Sequence, residues 1–181
     1  MIEPTGAAAP AAGALASLPR RLAALAYEAL LVTALVFVLG FAMLPLVSPG
    51  AGATRTLAVP ALPARVGLFL VTFALLAWYF TWSWTGGRAT LAQKSWRLSV
   101  AAVHGGPASR RDALARYLAA WIGPVLAVAL YLVLQPHGVG AHAAWVVALG
   151  WLFALVDRDR QFLHDRLAGT RVVVTGAPRR G

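Results

Sequence analysis

Apolar positions in this chain neither alternate nor recur on one helical stripe; they run on unbroken. Leu22 to Val47 carries a single acid, Glu28, and one late proline, Pro45. Val66 to Thr85 holds 20 residues without a charge. Tyr117 to Leu134 contains the pair Gly123-Pro124, which predicts a kink, and Gly138 to Val156 carries His142 near its start. About 20 helical residues cross a bilayer core, so each run predicts a span. The short connection Gln135 to His142 predicts a tight helical hairpin between the last two. The expected fold is an all-α membrane protein with four transmembrane helices, at about 22–47, 66–85, 117–134 and 138–156.

The polar remainder divides by composition. Residues 1–18 are rich in Ala, Gly and Pro and read as a disordered tail, residues 48–64 as an external loop, and 176–181 as a flexible end. Between the second and third runs, Arg88 to Lys94 reads as a short interfacial helix extending the second span. Trp96, Leu98 and Val100 then alternate with Arg97 and Ser99, as in a strand, before the turn His104-Gly105-Gly106-Pro107. Ser109 with Asp112 three residues on has the form of a capping box opening a helix. After the fourth run, Asp157 to Leu167 has helical character, Gly169 is a stop, and Arg171 to Thr175 is β-branched. Neither short strand can satisfy its backbone alone, so the two are expected to pair into a small cytoplasmic element.

Composition turns the spans from an option into a requirement. The chain is 60% hydrophobic and 12% charged over 181 residues, against about 45–50% and about 25% in soluble domains. A soluble core this small cannot hide that surface, and disorder is excluded for the bulk of the chain. There is no cysteine, which removes disulfides, thiolate metal sites and a cysteine nucleophile. No cleavable signal peptide is read at the start, where the apolar run is too long for a signal's central region. The charge is +10, from 16 Lys and Arg against 6 Asp and Glu. Sorted by segment, two cations precede the first span, two follow it, six follow the second, none the third and six the fourth. An inside N-terminus puts fourteen inside and two outside, so both termini are expected to be cytoplasmic. Trp78, Tyr79, Phe80, Trp82 and Trp84 crowd the end of the second run, as an interfacial belt of anchors does.

Few residues are left for chemistry. Glu28 lies seven residues beyond Arg21, nearly two helical turns, so the two share a face about 10 Å apart along the axis. An ionisable group within a span is a functional candidate by default, and a carboxyl there is a candidate proton carrier. The alternative is a shallow group that reaches interfacial water. Arg20 and Arg21 also serve as topology determinants whose stems snorkel to headgroups. The densest charge runs from Asp157 to Arg166 and contains Arg160, His164 and Asp165. It reads either as a solvated helix with pairs at i,i+3 and i,i+4, or as placing Asp165 opposite an arginine of the first span or the middle loop. His164 has no second histidine or spaced carboxylate to make a metal or acid–base site, and His104, His137 and His142 read as loop residues. No phosphate-binding glycine loop, His-x-x-x-His pair or serine elbow occurs, so neither a cofactor nor a metal is expected.

Three motifs together resemble the RDD family of small multi-pass bacterial membrane proteins. They are Pro19-Arg20-Arg21-Leu22-Ala23-Ala24, then Gly87-Arg88-Ala89-Thr90-Leu91-Ala92 with Trp96-Arg97-Leu98-Ser99-Val100, and finally Asp159-Arg160-Gln161-Phe162-Leu163-His164-Asp165-Arg166-Leu167-Ala168-Gly169-Thr170-Arg171-Val172-Val173. The last is the most specific, and the resemblance spans residues 19–175. It implies functional roles for an arginine at the start of the first helix, matched by Arg21 (or Arg20), and for two aspartates. Glu28 stands at the first aspartate position, one methylene longer, and Asp165 matches the second. The resemblance further implies transport of unassigned ligands, with sodium/proton exchange proposed for some members.

These readings rank the functions. First is a transport component with Glu28 protonatable and Arg21 with Asp165 as a cytoplasmic ion-pair gate; four spans are few for alternating access, so it would form a homo-oligomer. Second is a non-catalytic module that binds anionic lipid or a membrane partner protein through its basic face. An enzyme is not expected, since no spaced catalytic set is present. Nucleic acid is not expected as a partner, because topology rather than one soluble face distributes the arginines. The expected location is the bacterial cytoplasmic membrane.

Overall fold

The computed structural model describes residues 14–47 and 60–176. Most of the expected N-terminal tail (1–18), most of the external loop (48–64) and nearly all of the C-terminal end (176–181) lie outside the described residues. Three helical stretches are long and apolar enough to cross a membrane. Helix α1, Leu18–Val47, has 30 residues and α2, Leu62–Trp84, has 23. At 1.5 Å per residue these are about 45 and about 35 Å long, so α1 overshoots a bilayer core of about 30 Å. The third stretch runs through α4, Arg110–Ala120, and α5, Ile122–Leu134. The fourth apolar run is shorter than expected: a 3-10 turn, Gly140–Ala144, leads into α6, Trp145–Val156, of 12 residues.

Boundaries differ from the apolar runs for physical reasons. Pro63, read as loop, sits in the first turn of α2, where its missing N–H costs nothing. α1 starts four residues before the apolar run. Its lead-in is held down, with Ala16 donating its N–H to Val172 at 3.1 Å and Val174 donating to Ala14 at 2.9 Å. The expected kink in the third span corresponds to a break in the helix just before the Gly123-Pro124 pair, at Trp121, whose N–H bonds Leu118 at 3.1 Å rather than Tyr117 one full turn back. Pro124 lacks the N–H that would bond the Ala120 carbonyl. Gly123 has a packing role, because a Cβ there would stand 3.5 Å from the Val147 backbone, and α5 packs on α6. The hairpin between them turns through Gly138 at φ +74°.

Everything else gathers at one end. After α2, Gly86 and Gly87 (φ +65° and +77°) turn the chain into α3, Leu91–Ser95, which is separate from α2 rather than its extension. Strand β1, Leu98–Ala102, pairs antiparallel with β2, Thr170–Val174, in the register Val100↔Val172. The expected pairing is therefore present, with Leu15 bridged to Val173 on the far side of β2. The Ser109–Asp112 capping box is present in both directions, at 3.2 and 2.9 Å. The helix expected over Asp157 to Leu167 is only α7, Leu163–Leu167. The residues before it form a turn, because the Asp157 carboxylate accepts the N–H groups of Asp159 (3.1 Å) and Gln161 (2.8 Å) and so offers the backbone an alternative to helix.

Two apolar clusters join helices to sheet. Leu76, Trp84, Val100, Ala108, Ala113 and Tyr117 form one; Ala16, Ala24, Leu98 and Val172 form the other. The aromatic belt is accordingly split. Trp78 and Trp82 are exposed as anchors are, whereas Phe80 stacks on Trp84 at 4.7 Å inside the first cluster. Periodicity explains the correction: residues 80 and 84 are one turn apart and face α4, while 78 and 82 point away.

Candidate functional site

The charged residues of α1, α4 and α7 meet where the long helices join the sheet. Asp165 is fully buried and is ion-paired with Arg116 of α4, itself buried. Arg116 also donates to Thr170 Oγ1 at 3.3 Å and lies 4.7 Å over the Trp84 ring. Asp165 further accepts the N–H of Phe162 at 3.3 Å, closing the first turn of α7. The expected gate of Arg21 with Asp165 is thus not formed. Arg116 takes that carboxylate, and the reading that set Asp165 against an arginine of the middle segment matches the contact. The rest of the acidic cluster pairs across a turn, with Arg166 holding Asp157 (2.8 Å) and Asp159 (2.7 Å) rather than i,i+3 or i,i+4 neighbours. Hydrogen bonds from Arg166 hold the Asp157 carboxyl below its usual range, and the same contact raises Arg166.

Arg21 is also buried, but it has no carboxylate partner within ion-pair distance among the described residues. It donates to the backbone carbonyl of Arg160 and lies 5.3 Å over the Phe162 ring. Arg160 presents that carbonyl from a left-handed backbone, φ +52°, while its own side chain is exposed. Its contact with Arg21 is therefore through the main chain. Arg20 points elsewhere, to the Trp96 carbonyl at 2.6 Å, so of the two arginines Arg21 is the inward one. His164 lies between the charged groups, 3.8 Å from Asp165, and burial together with the positive charges of Arg116 and Arg21 pushes its imidazole well below its usual pKa. A neutral His164 neither joins an ion pair nor adds to the charge.

Glu28 lies further along the same face of α1. One carboxylate oxygen accepts from Thr90 Oγ1, the other from the Tyr79 hydroxyl at 3.3 Å. Thr90 is placed by its own cap: its hydroxyl accepts from Gln93 N–H at 3.2 Å, and its N–H donates to the Gln93 side chain at 3.0 Å. Among the described residues Glu28 has no cation partner, only two neutral hydroxyls. The sequence places Thr90 only in a family motif and Tyr79 only in the aromatic belt, and it gives Arg116 no site of its own. Thr90-Leu91-Ala92-Gln93 has the capping-box form and could have been found by it; Tyr79 and Arg116 carry no local signal. No grouping of three or more His, Cys, Asp or Glu side chains suited to a metal occurs among the described residues.

Arg21, Glu28, Arg116 and His164 all border one cavity of about 610 Å³, walled by α1, α2, α4, α5 and α6, with residues of α3, α7 and both strands at its sheet end. Its polar side chains cluster at the sheet end and the rest is aliphatic and aromatic. Apolar helices of membrane-spanning length around a cavity with a few ionisable groups define an integral membrane protein. The chain belongs to the RDD family, whose family model matches residues 15–169. No curated protein and no solved structure matches it.

Proposed function

We propose that this RDD protein is a transport component of the bacterial cytoplasmic membrane, with Glu28 as its proton-exchanging group and the cavity as its ligand site. The observation that carries the reading is the setting of Glu28: a carboxyl on a membrane helix, bordering a cavity and held, among the described residues, by hydroxyls alone. Hydroxyl partners let a carboxyl gain or lose a proton without breaking an ion pair, since each can donate or accept. The reading takes four spans and both termini inside. Parity supports it: residues 14–16, β1 and β2 are bonded side by side, so the chain returns to one face after α1–α2 and again after α5–α6. The apolar stretch from Gly140 to Val156 rises about 28 Å as 3-10 plus α-helix, close to a core of about 30 Å. The cation distribution supports a cytoplasmic sheet face. Four spans per chain imply a homo-oligomer as the working unit. Proteoliposomes loaded with a pH-sensitive dye test the reading; under imposed proton, sodium and potassium gradients they should relax faster than empty liposomes, and identical traces throughout would sink it.

A second reading has its own observation. Lys94, Arg97, Arg110, Arg111, Arg158 and Arg160 are exposed on the sheet side, and each cation near an anionic surface adds about 1 kcal/mol of attraction. On this reading the protein is a non-catalytic module binding anionic lipid or a membrane partner protein. Lipid analysis of protein extracted from native membranes should then show enrichment of anionic lipid over the bulk, and bulk composition would count against it.

A further inference from the structure

We infer that the cavity holds one anionic amphiphile, its phosphate head on Arg21 at the sheet end and its apolar chain between α1 and the α5–α6 hairpin. This names the ligand class of the cavity on which the transport reading rests. The first support is charge. Arg21 and Arg116 both border the cavity and are both buried, yet only Arg116 has a carboxylate within ion-pair distance among the described residues. Among the described residues the buried Arg21 guanidinium bonds a carbonyl and lies over an aromatic ring, with Asp157 acting on it only from beyond ion-pair distance, so its charge is only partly offset; a planar guanidinium suits phosphate oxygens. The second support is unmet hydrogen bonding: Arg21 Nε and Nη1 and Arg116 Nε are buried without an acceptor among the described residues. Buried donors are nearly always satisfied, so an acceptor from outside the chain is called for. The neighbouring His164 is depressed chiefly by burial and further by the charges of Arg116 and Arg21. Glu28 is the opposing charge at the cavity wall and is already engaged by Thr90 and Tyr79, which leaves the Arg21 donors for the ligand.

The third support is shape. Beyond the charged end the walls are apolar, with Val32, Leu76, Ile122, Leu126 and Val147 among them, and the volume lies in the range of about 300–1,000 Å³ typical of small-molecule sites. A free inorganic anion would leave this wall unused; a neutral lipid would leave the arginine unmet. Gly150 provides an independent handle on the chain end. It borders the cavity, and a Cβ built there meets nothing within 4 Å, so a larger side chain extends into open space without displacing backbone.

The test is equilibrium binding to full-length protein in phosphatidylcholine nanodiscs, read by tryptophan fluorescence; Trp84, Trp121 and Trp151 border the cavity. Three probes are titrated: oleoyl lysophosphatidic acid, oleoyl lysophosphatidylcholine and inorganic phosphate. Saturable binding of the first is expected, with the second weaker and the third absent over the same range. Arg21→Gln and Gly150→Leu should each weaken lysophosphatidic acid binding by about tenfold or more. Equal binding of the two lipids would reduce the cavity to a plain apolar groove, and phosphate binding as tightly as the lipid would make it a free-anion site; either overturns the inference. So does unchanged binding in both variants. Should Arg21→Gln fail to fold, Gly150→Leu and the headgroup series decide. No gradient is involved, so binding without flux would fault the transport reading alone, and flux without binding would fault this inference alone.

Discussion

The membrane end of the molecule and its sheet end are built on opposite rules. Along α1 and α6 large apolar side chains face outward, Phe37 at 64% and Leu155 at 65% exposure, and α1 touches α2 sparingly. At the sheet end Asp165, Thr170, Thr90 and Gln161 are all at or below 1% exposure and each is bonded, Thr170 to Asp165, Gln161 to Val172 and Thr90 to Gln93 and Glu28. Lipid tails are as apolar as leucine, so the outer faces of the helices gain little from packing together. Stability and specificity must therefore concentrate where polar groups are buried and paired. The cavity lies at the boundary between the two regimes, where loosely packed helices leave room and the polar network supplies charge.

The contrast is broken most severely at its centre. Asp165→Ala strands Arg116 in a buried site, and removing one partner of a buried pair costs about 3–5 kcal/mol. Loss of a monodisperse folded species in detergent is expected, with the double change Arg116→Met plus Asp165→Leu recovering much of it; a fully stable Asp165→Ala would contradict the account. Thr90→Ala removes both the cap of α3 and a donor to Glu28, and a lost cap alone costs about 1 kcal/mol, measurable as a lower midpoint of thermal unfolding.

Acidification sharpens the comparison. The folded state lowers the pKa of His164 from 6.5, so the unfolded chain binds the extra proton first as pH falls. Stability is then full above about 6.5 and declines as pH drops below it. His164→Gln should flatten the unfolding midpoint between about pH 6.5 and 5, whereas a profile unchanged from wild type would remove His164 from the network. Arg160→Gly should be neutral or stabilising by up to about 1 kcal/mol, because glycine accepts a left-handed backbone and the carbonyl offered to Arg21 is retained. Arg160→Val should destabilise. The smallest effect belongs to the lipid face, where Phe37→Ala should stay within about 0.5 kcal/mol in unfolding measurements.

What could be read from the sequence follows the same division. Three spans were legible because a bilayer demands length and hydropathy, which are local properties. Ser109 and Asp112 were legible because a capping box lies within four residues, and the strand pair because a short alternating run and a short β-branched run had no other partner. Arg116 was not, since its partner stands 49 residues away and nothing local distinguishes it from Arg110 or Arg111. Arg21 was found as a position, but its acceptor is a main-chain carbonyl, which carries no side-chain signature. The Asp157 turn was taken for helix because charge spacing at i,i+3 and i,i+4 also arises when a carboxylate folds back on its own backbone. Trp84 passed for an anchor because composition marks the interface without saying which face of a helix meets a neighbour.

The central claim is that Glu28 does the proton chemistry of the cavity, and gradient relaxation in proteoliposomes tests it most directly. Wild type, Glu28→Gln and Glu28→Asp should be compared at equal incorporation, with the cation that wild type uses. Relaxation reduced to that of empty liposomes in Glu28→Gln and retained in Glu28→Asp is the predicted result; Glu28→Gln indistinguishable from wild type would contradict it.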